Sequence, residues 1–158
     1  MLEPHATRRI RTLLLGTLAA GAIGTGAELL LLGHFESAVQ LIPLVLLAAG
    51  VATLTWYAAA PSRPSVRGIQ VAMALFLVSG GIGVGLHYDG NVEFELETYP
   101  SMEGVDLVRK TMTGETPVLA PGTMALLGLI GLAHAHGHPA LDHDGVAAVD
   151  TAGRSLAP

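Results

Sequence analysis

The sequence predicts an all-α integral membrane protein with four transmembrane helices. Apolar residues make up 51% of the 158 residues, charged residues only 13%, and the apolar residues gather in four long runs. A soluble domain of this size would need a far more polar surface. Because lipid offers no hydrogen-bond partner to a peptide group, each run is expected to fold as a helix.

The four runs each approach or exceed the ~20 residues that cross ~30 Å of hydrocarbon, the fourth being the shortest. The predicted spans are residues 12–32, 39–60, 69–88 and 118–135. Prolines mark their boundaries, because proline is tolerated near a helix start or beyond its end. These boundary prolines are Pro61, Pro64, Pro117, Pro121 and Pro139.

Arginine and lysine near the helix ends predict an N-in/C-in orientation, with both termini in the cytoplasm. The N-terminal segment, the loop after the second span and the tail hold Arg8, Arg9, Arg11, Arg63, Arg67 and Arg154, whereas the other two loops hold only Arg109 and Lys110. Residues 1–138 are then one membrane domain, and 139–158 a flexible cytoplasmic tail. The abundant alanine and glycine suit a bacterial inner (cytoplasmic) membrane, which is the predicted location.

The predicted outer loop, residues 89–116, has two structured parts. In the first, Val92, Phe94 and Leu96 alternate with glutamates, which is the period of a short extended segment with one solvent-exposed face. In the second, a short amphipathic helix is expected to lie on the outer surface, because apolar residues recur at helical spacing. Those residues are Met102, Val105, Val108 and Met112. An irregular loop whose apolar residues cover the bundle is the alternative.

Glu28 lies inside the first span, where a carboxylate costs roughly 2.5 to 3.5 kcal/mol at the helix centre and less toward the interface. Glycines stand seven and four residues before it, and the same spacing precedes His87 in the third span. We expect these two glycine faces to pack together and Glu28 to contact His87. His34, Glu36 and Asp89 would form a polar rim above the pair.

Imidazole and carboxylate groups together suit a divalent transition metal, such as zinc, iron or manganese, or a proton relay. The sequence therefore predicts an outer metal site at Glu28, His34, Glu36, His87 and Asp89. A purely structural polar clamp and a catalytic acid and base pair are the alternatives, and no cofactor is required.

A second candidate metal site lies at the end of the fourth span. Its four histidines fall within a short stretch that also contains two aspartates, and histidine-rich tracts bind Zn²⁺, Ni²⁺ or Cu²⁺. The histidines are His134, His136, His138 and His143. The alternative is an interfacial tail in which the histidines cap carbonyl groups at the helix end.

Several functional classes are excluded or disfavoured. The chain has no cysteine, so thiolate metal sites, disulfides and cysteine nucleophiles are excluded. No esterase, zinc-protease, phosphate-loop or haem-attachment motif is present, and polar groups in the spans are too few to favour an enzyme. A net charge of −5 without a basic stripe argues against nucleic-acid binding.

The expected function is that of an accessory or scaffolding subunit of a larger membrane complex. Its outer loop would dock a protein partner, or a second copy of the chain, through Val92, Phe94, Leu96, Val105, Val108 and Met112. The alternative is a protein that binds, delivers or transports divalent cations with the outer histidine and carboxylate residues. Transport by a monomer needs a continuous polar path, and the second and fourth spans offer almost none.

Overall fold

The structure, a computed structural model, describes residues 5–114 and 116–141, and within those ranges it contains helices and no strand. Five α-helices follow one another along the chain, and a short 3-10 turn comes after the last. They are α1 (His5–Leu31), α2 (Ala38–Ala59), α3 (Arg63–Thr98), α4 (Gly104–Met112) and α5 (Gly122–Ala135), followed by the turn Pro139–Leu141.

Helices α1, α2 and α3 are each long and apolar enough to cross a membrane. Large apolar side chains on the outward faces of these helices are exposed on the surface of the bundle, for example Leu13, Val45 and Val71. The described residues are thus all-helical, and three of their helices could span a membrane, in agreement with the predicted fold class. Helix α5 has 14 residues and a length of about 21 Å, less than the hydrocarbon thickness, so the fourth crossing stays a prediction.

Helices α1, α2, α3 and α5 form a ring in which α3 packs on α2 and α5, and α1 packs on the same two helices. Fully buried Leu18, Met73 and Phe76 lie at its centre. Close approach requires glycine at the contact points: a Cβ on Gly50 of α2 would lie 2.6 Å from the Phe76 ring. The core therefore depends on small residues as much as on large ones.

Serine residues begin two of the helices. Ser37 caps α2 and Ser62 caps α3, each through a reciprocal capping box that satisfies backbone N–H groups left unpaired at a helix start. In α3 the partner is Ser65, which is fully buried and donates to the Ala60 carbonyl oxygen at 3.0 Å. The connection from α2 to α3 is thus held tightly.

The glycine faces of α1 and α3 do not pack on each other, which corrects the sequence-based expectation. A Cβ on Gly21 of α1 would meet the Leu127 side chain at 2.5 Å, and one on Gly80 of α3 would meet the Ala125 nitrogen at 2.5 Å. Both contacts are with α5. Helix α5 therefore packs on Gly21 of α1 and Gly80 of α3, whereas a Cβ on Gly24 would meet nothing within 4 Å.

The prediction of an extended segment at residues 92–97 is also wrong, because α3 continues unbroken through Thr98. On a helix, residues two apart point to nearly opposite sides, so the predicted alternating polar row does not form. Residues four apart share a side instead. His87, Asn91 and Glu95 consequently form one line along the face of α3.

Helix α3 projects well beyond its neighbour α2. From the contact between Gly50 and Phe76, α2 extends twelve residues to its start at Ala38, whereas α3 extends twenty-two residues to Thr98. About ten residues, or about 15 Å of helix, therefore extend past the start of α2. We call the final turns of α3 (residues 89–98), the connection 99–103 and α4 the projecting unit.

The opposite end of the bundle brings together the start of α1, the end of α2, the start of α3 and the end of α5. There the Arg11 guanidinium donates to the His136 carbonyl oxygen at 2.9 Å, and Tyr57 contacts His138. We call this the arginine end. The turn Pro139–Leu141, expected to be part of a flexible tail, packs here on α3, and residues 142–158 lie outside the described residues.

Candidate functional site

The projecting unit is held together by the side chain of Asn91, which is 3% exposed. Its amide nitrogen donates to the carbonyl oxygens of Thr111 at 2.9 Å and Thr116 at 2.7 Å. Its amide oxygen accepts a hydrogen bond from the Thr116 backbone N–H at 3.3 Å. One carboxamide thus satisfies one backbone group in the last turn of α4 and two in the loop that follows, and it fixes both to α3.

His87 lies one helical turn before Asn91 and extends the same polar line. Its Nδ1 is 3.1 Å from the Pro117 carbonyl oxygen, so Nδ1 carries the proton and donates. Gly114 is close by, since a Cβ there would lie 2.8 Å from the Asn91 amide nitrogen. The loop from α4 to α5 is therefore tied to α3 at two successive turns.

The third residue of this line, Glu95, is 7% exposed although it carries a carboxylate. It lines a cleft of about 660 Å³ between the end of α3 and α4. Tyr99, one turn further along α3, also lines this cleft, and the Lys110 ammonium lies 5.8 Å from the centre of its ring. Both helices contribute charged or aromatic groups to the cleft.

Helix α4 has three distinct faces. Leu107 and Thr111 are the residues that lie against α3. Val105, Val108 and Met112 form an apolar face that is exposed by 83%, 49% and 42%. The third face carries Asp106, Arg109 and Lys110, which line the cleft between α4 and the end of α3. The short helix expected in this segment is present, and we call its Val105, Val108 and Met112 side the apolar face.

The other three residues predicted to bind a partner are divided by the helix. Val92 and Leu96 are partly buried and share one side of α3, whereas Phe94 is exposed on a different side. They do not form one edge. Their role in docking stays a prediction, and only Phe94 offers a large exposed apolar surface.

The residues of the predicted outer metal site are not drawn together. Glu28, Glu36 and Asp89 are exposed, His34 is partly buried, and His87 is bonded to Pro117. No hydrogen bond or ion pair joins Glu28 to His87, both of which are described. Within residues 5–114 and 116–141, no group of three or more histidine or acidic side chains could hold a metal ion. Metal binding stays a prediction.

At the arginine end, the C-terminus of α5 is capped by Arg11 of α1. Its guanidinium donates to the carbonyl oxygens of His134, His136 and Gly137, the last at 2.8 Å. Carbonyl groups at a helix end lack partners within the helix and carry partial negative charge, so a forked cation fits them well. Capping of these carbonyls by the histidines was the alternative to a metal site, and in the structure an arginine from another helix caps them.

Two of the predicted tail histidines lie side by side beneath this cap. The rings of His134 and His138 are 6.0 Å apart, and Tyr57 of α2 contacts both edge to face at 5.3 and 5.6 Å. The Nδ1 of His134 donates to the Arg11 carbonyl oxygen at 3.1 Å. The ring pair therefore joins α1, α2 and α5.

The hydrogen bonds of His138 define its tautomer. Its Nδ1 accepts from the Ala140 backbone N–H at 3.2 Å, so the proton of the neutral ring is on Nε2, which donates to the Tyr57 hydroxyl at 2.9 Å. A metal ion at either nitrogen would have to displace one of these bonds. His136 is exposed away from the pair, and His143 lies outside the described residues.

Four residues that organise these ends were not predicted to be site residues: Arg11, Tyr57, Asn91 and Glu95. A signal for two of them exists, because His87, Asn91 and Glu95 recur every four residues, the spacing of one helix face. Their alternation with apolar residues also fits the period of a strand, which is the structure predicted from the sequence. Nothing in the local sequence indicates that Arg11 reaches α5.

Comparisons of the chain with protein-family models, with curated proteins and with solved structures found no match in any of the three. The function must therefore be argued from the site itself.

Proposed function

We propose that the protein is an accessory or scaffolding subunit of a larger membrane complex, to which it docks through the apolar face of α4. The observation that carries the proposal is the exposure of Val105, Val108 and Met112 on a helix that is fixed to α3. A rigid exposed apolar patch is typical of a protein contact.

The position of α4 favours a protein over lipid as the occupant of this face. Thr111, near the end of α4, is bonded to Asn91, and the N–H of Met102, just before α4, donates to the Tyr99 carbonyl oxygen at 3.0 Å. Helix α4 therefore packs back along the last turns of α3. Val105 is then about level with the end of α3, about 15 Å beyond Tyr88, where the predicted span ends.

We further propose the sidedness that the arginine and lysine residues predict, with the arginine end in the cytoplasm and the projecting unit outside a bacterial inner membrane. The contact between Arg11 and α5 supports one part of this, because it brings the start of α1 and the end of α5 to the same end of the bundle. A cation-handling function remains the alternative, to be tested by metal analysis of protein purified without a histidine tag.

A photo-crosslinking amino acid placed at Val105 or Val108 in native membranes tests the docking proposal. We expect one discrete crosslinked product from these positions, and none from the matched control position Glu93, which is exposed on α3. A product of twice the protein's own mass would identify a second copy as the partner. Crosslinking to lipid alone from Val105 would overturn the proposal.

A further inference from the structure

The side chain of Glu95 is buried without a partner among the described residues. It is 93% buried, it makes no side-chain hydrogen bond there, and no described lysine, arginine or histidine nitrogen lies within 4.0 Å of its carboxylate. Its carboxylate oxygens are not enclosed by the protein, so they open onto the cleft that Glu95 lines. Its neighbours Glu93 and Glu97 are exposed, so Glu95 alone is placed in the cleft.

The wall of the cleft opposite Glu95 carries positive charge. Arg109 and Lys110 both line it from α4, and they are accompanied by exposed Asp106, which keeps its hydration. The cleft thus presents a buried negative group on α3 and two positive groups on α4. At about 660 Å³, it lies within the range of small-molecule sites.

We propose that this cleft binds a zwitterion with a primary ammonium and a phosphate group, the chemistry of phosphoethanolamine. The ammonium would donate to the Glu95 carboxylate, and the phosphate would accept from Arg109 and Lys110. A simple cation would be repelled by the two basic residues on the α4 wall. A simple anion would leave Glu95 uncompensated. Only a ligand with a positive and a negative group pairs with Glu95 on one wall and with Arg109 and Lys110 on the other.

Such a group can come from an ethanolamine phospholipid or from a soluble molecule. Glu95 lies seven residues beyond Tyr88, about 10 Å past the predicted end of the hydrocarbon span, close to the level of lipid headgroups. The proposal does not rest on docking by the apolar face, because that face is a different side of α4.

Calorimetric titration of the full-length protein in phosphatidylcholine nanodiscs with phosphoethanolamine tests the proposal. We expect saturable binding that weakens about tenfold or more in Glu95→Gln and in the double variant Arg109→Gln/Lys110→Gln, the loss typical of charge-assisted hydrogen bonds. Glu93→Gln and Glu97→Gln are the matched controls and should bind like wild type. Inorganic phosphate or ethanolamine alone should bind more weakly than the zwitterion.

The lipid arm uses nanodiscs that contain phosphatidylethanolamine, with native mass spectrometry as the readout. Retention of this lipid by wild type and its loss in Glu95→Gln, without binding of the soluble compound, would identify the lipid as the source. Equal binding of wild type and Glu95→Gln would overturn the proposal, since an anion site alone would then suffice. Failure of both the soluble compound and the lipid to bind would overturn it as well.

Discussion

Gly128 of α5 lies directly against the backbone of Met73 in α3. A Cβ at Gly128 would stand 2.6 Å from the Met73 carbonyl oxygen and 2.8 Å from the Leu77 nitrogen. Both atoms belong to a helix backbone, which cannot move aside as a side chain can. The close approach of α3 and α5 therefore depends on the absence of a side chain at Gly128, as it does at Gly80.

Gly128→Ala should consequently destabilise the bundle by about 1–3 kcal/mol, the usual cost of adding a methyl group to a filled contact. The midpoint of unfolding in a detergent titration would measure the loss. Gly24→Ala in α1 is the matched control, since a Cβ there meets nothing within 4 Å. Equal effects of the two substitutions would contradict the close contact of α3 and α5.

Asn91→Asp should loosen the projecting unit while leaving the bundle intact. The aspartate has nearly the same shape, but it cannot donate to the Thr111 and Thr116 carbonyl oxygens that the amide nitrogen now satisfies. A buried acceptor left unpaired costs about 1–3 kcal/mol. Hydrogen–deuterium exchange should rise in residues 104–114 and stay unchanged in α5. Asp89→Asn, at an exposed position nearby, should change neither.

The periodicity of these residues explains which parts of the fold were predictable. Long apolar runs identify α1, α2 and α3, because burial in lipid needs only composition and length. Along residues 87–97, however, polar groups stand at every second position, which fits a strand. The same pattern places His87, Asn91 and Glu95 four residues apart, which fits one face of a helix. The two periods share residues such as Asn91 and Glu95. The contacts of Asn91 with Thr111 and Thr116 favour the helix over the strand. These contacts join residues twenty or more apart in the chain, so the local sequence pattern does not predict them.

The arginine end illustrates the other limit of sequence reasoning. The histidines near His134 and His138 were recognised as a cluster, but their partners come from α1 and α2, more than eighty residues away in the chain. Arg11 was counted only as a charge that sets orientation. Its three backbone acceptors depend on how α1 and α5 cross, and that crossing depends on contacts such as Gly21 with Leu127.

Arg11→Lys separates these two roles, because it keeps the positive charge and removes the fork. A lysine ammonium is a single point of donation and cannot reach three carbonyl oxygens in the guanidinium's geometry. We expect a loss of about 1–3 kcal/mol in stability, with unchanged orientation in the membrane. The loss is measured by thermal unfolding in detergent, where Arg9→Lys, on the exposed side of α1, is the control and should be neutral. Wild-type stability in Arg11→Lys would show that the cap contributes little.

The absence of cysteine from the whole chain makes single introduced thiols a clean test of sidedness and of the fourth crossing. Glu97, Ala60 and His136 are exposed at the end of α3, the end of α2 and the end of α5. In intact cells, an impermeant maleimide should label Glu97→Cys at once. It should label Ala60→Cys and His136→Cys only after the membrane is opened, because bilayer lipid then no longer shields the cytoplasmic side. Labelling of Glu97→Cys and His136→Cys from the same side would mean that α5 does not cross, whereas a fully reversed pattern would invert the predicted orientation.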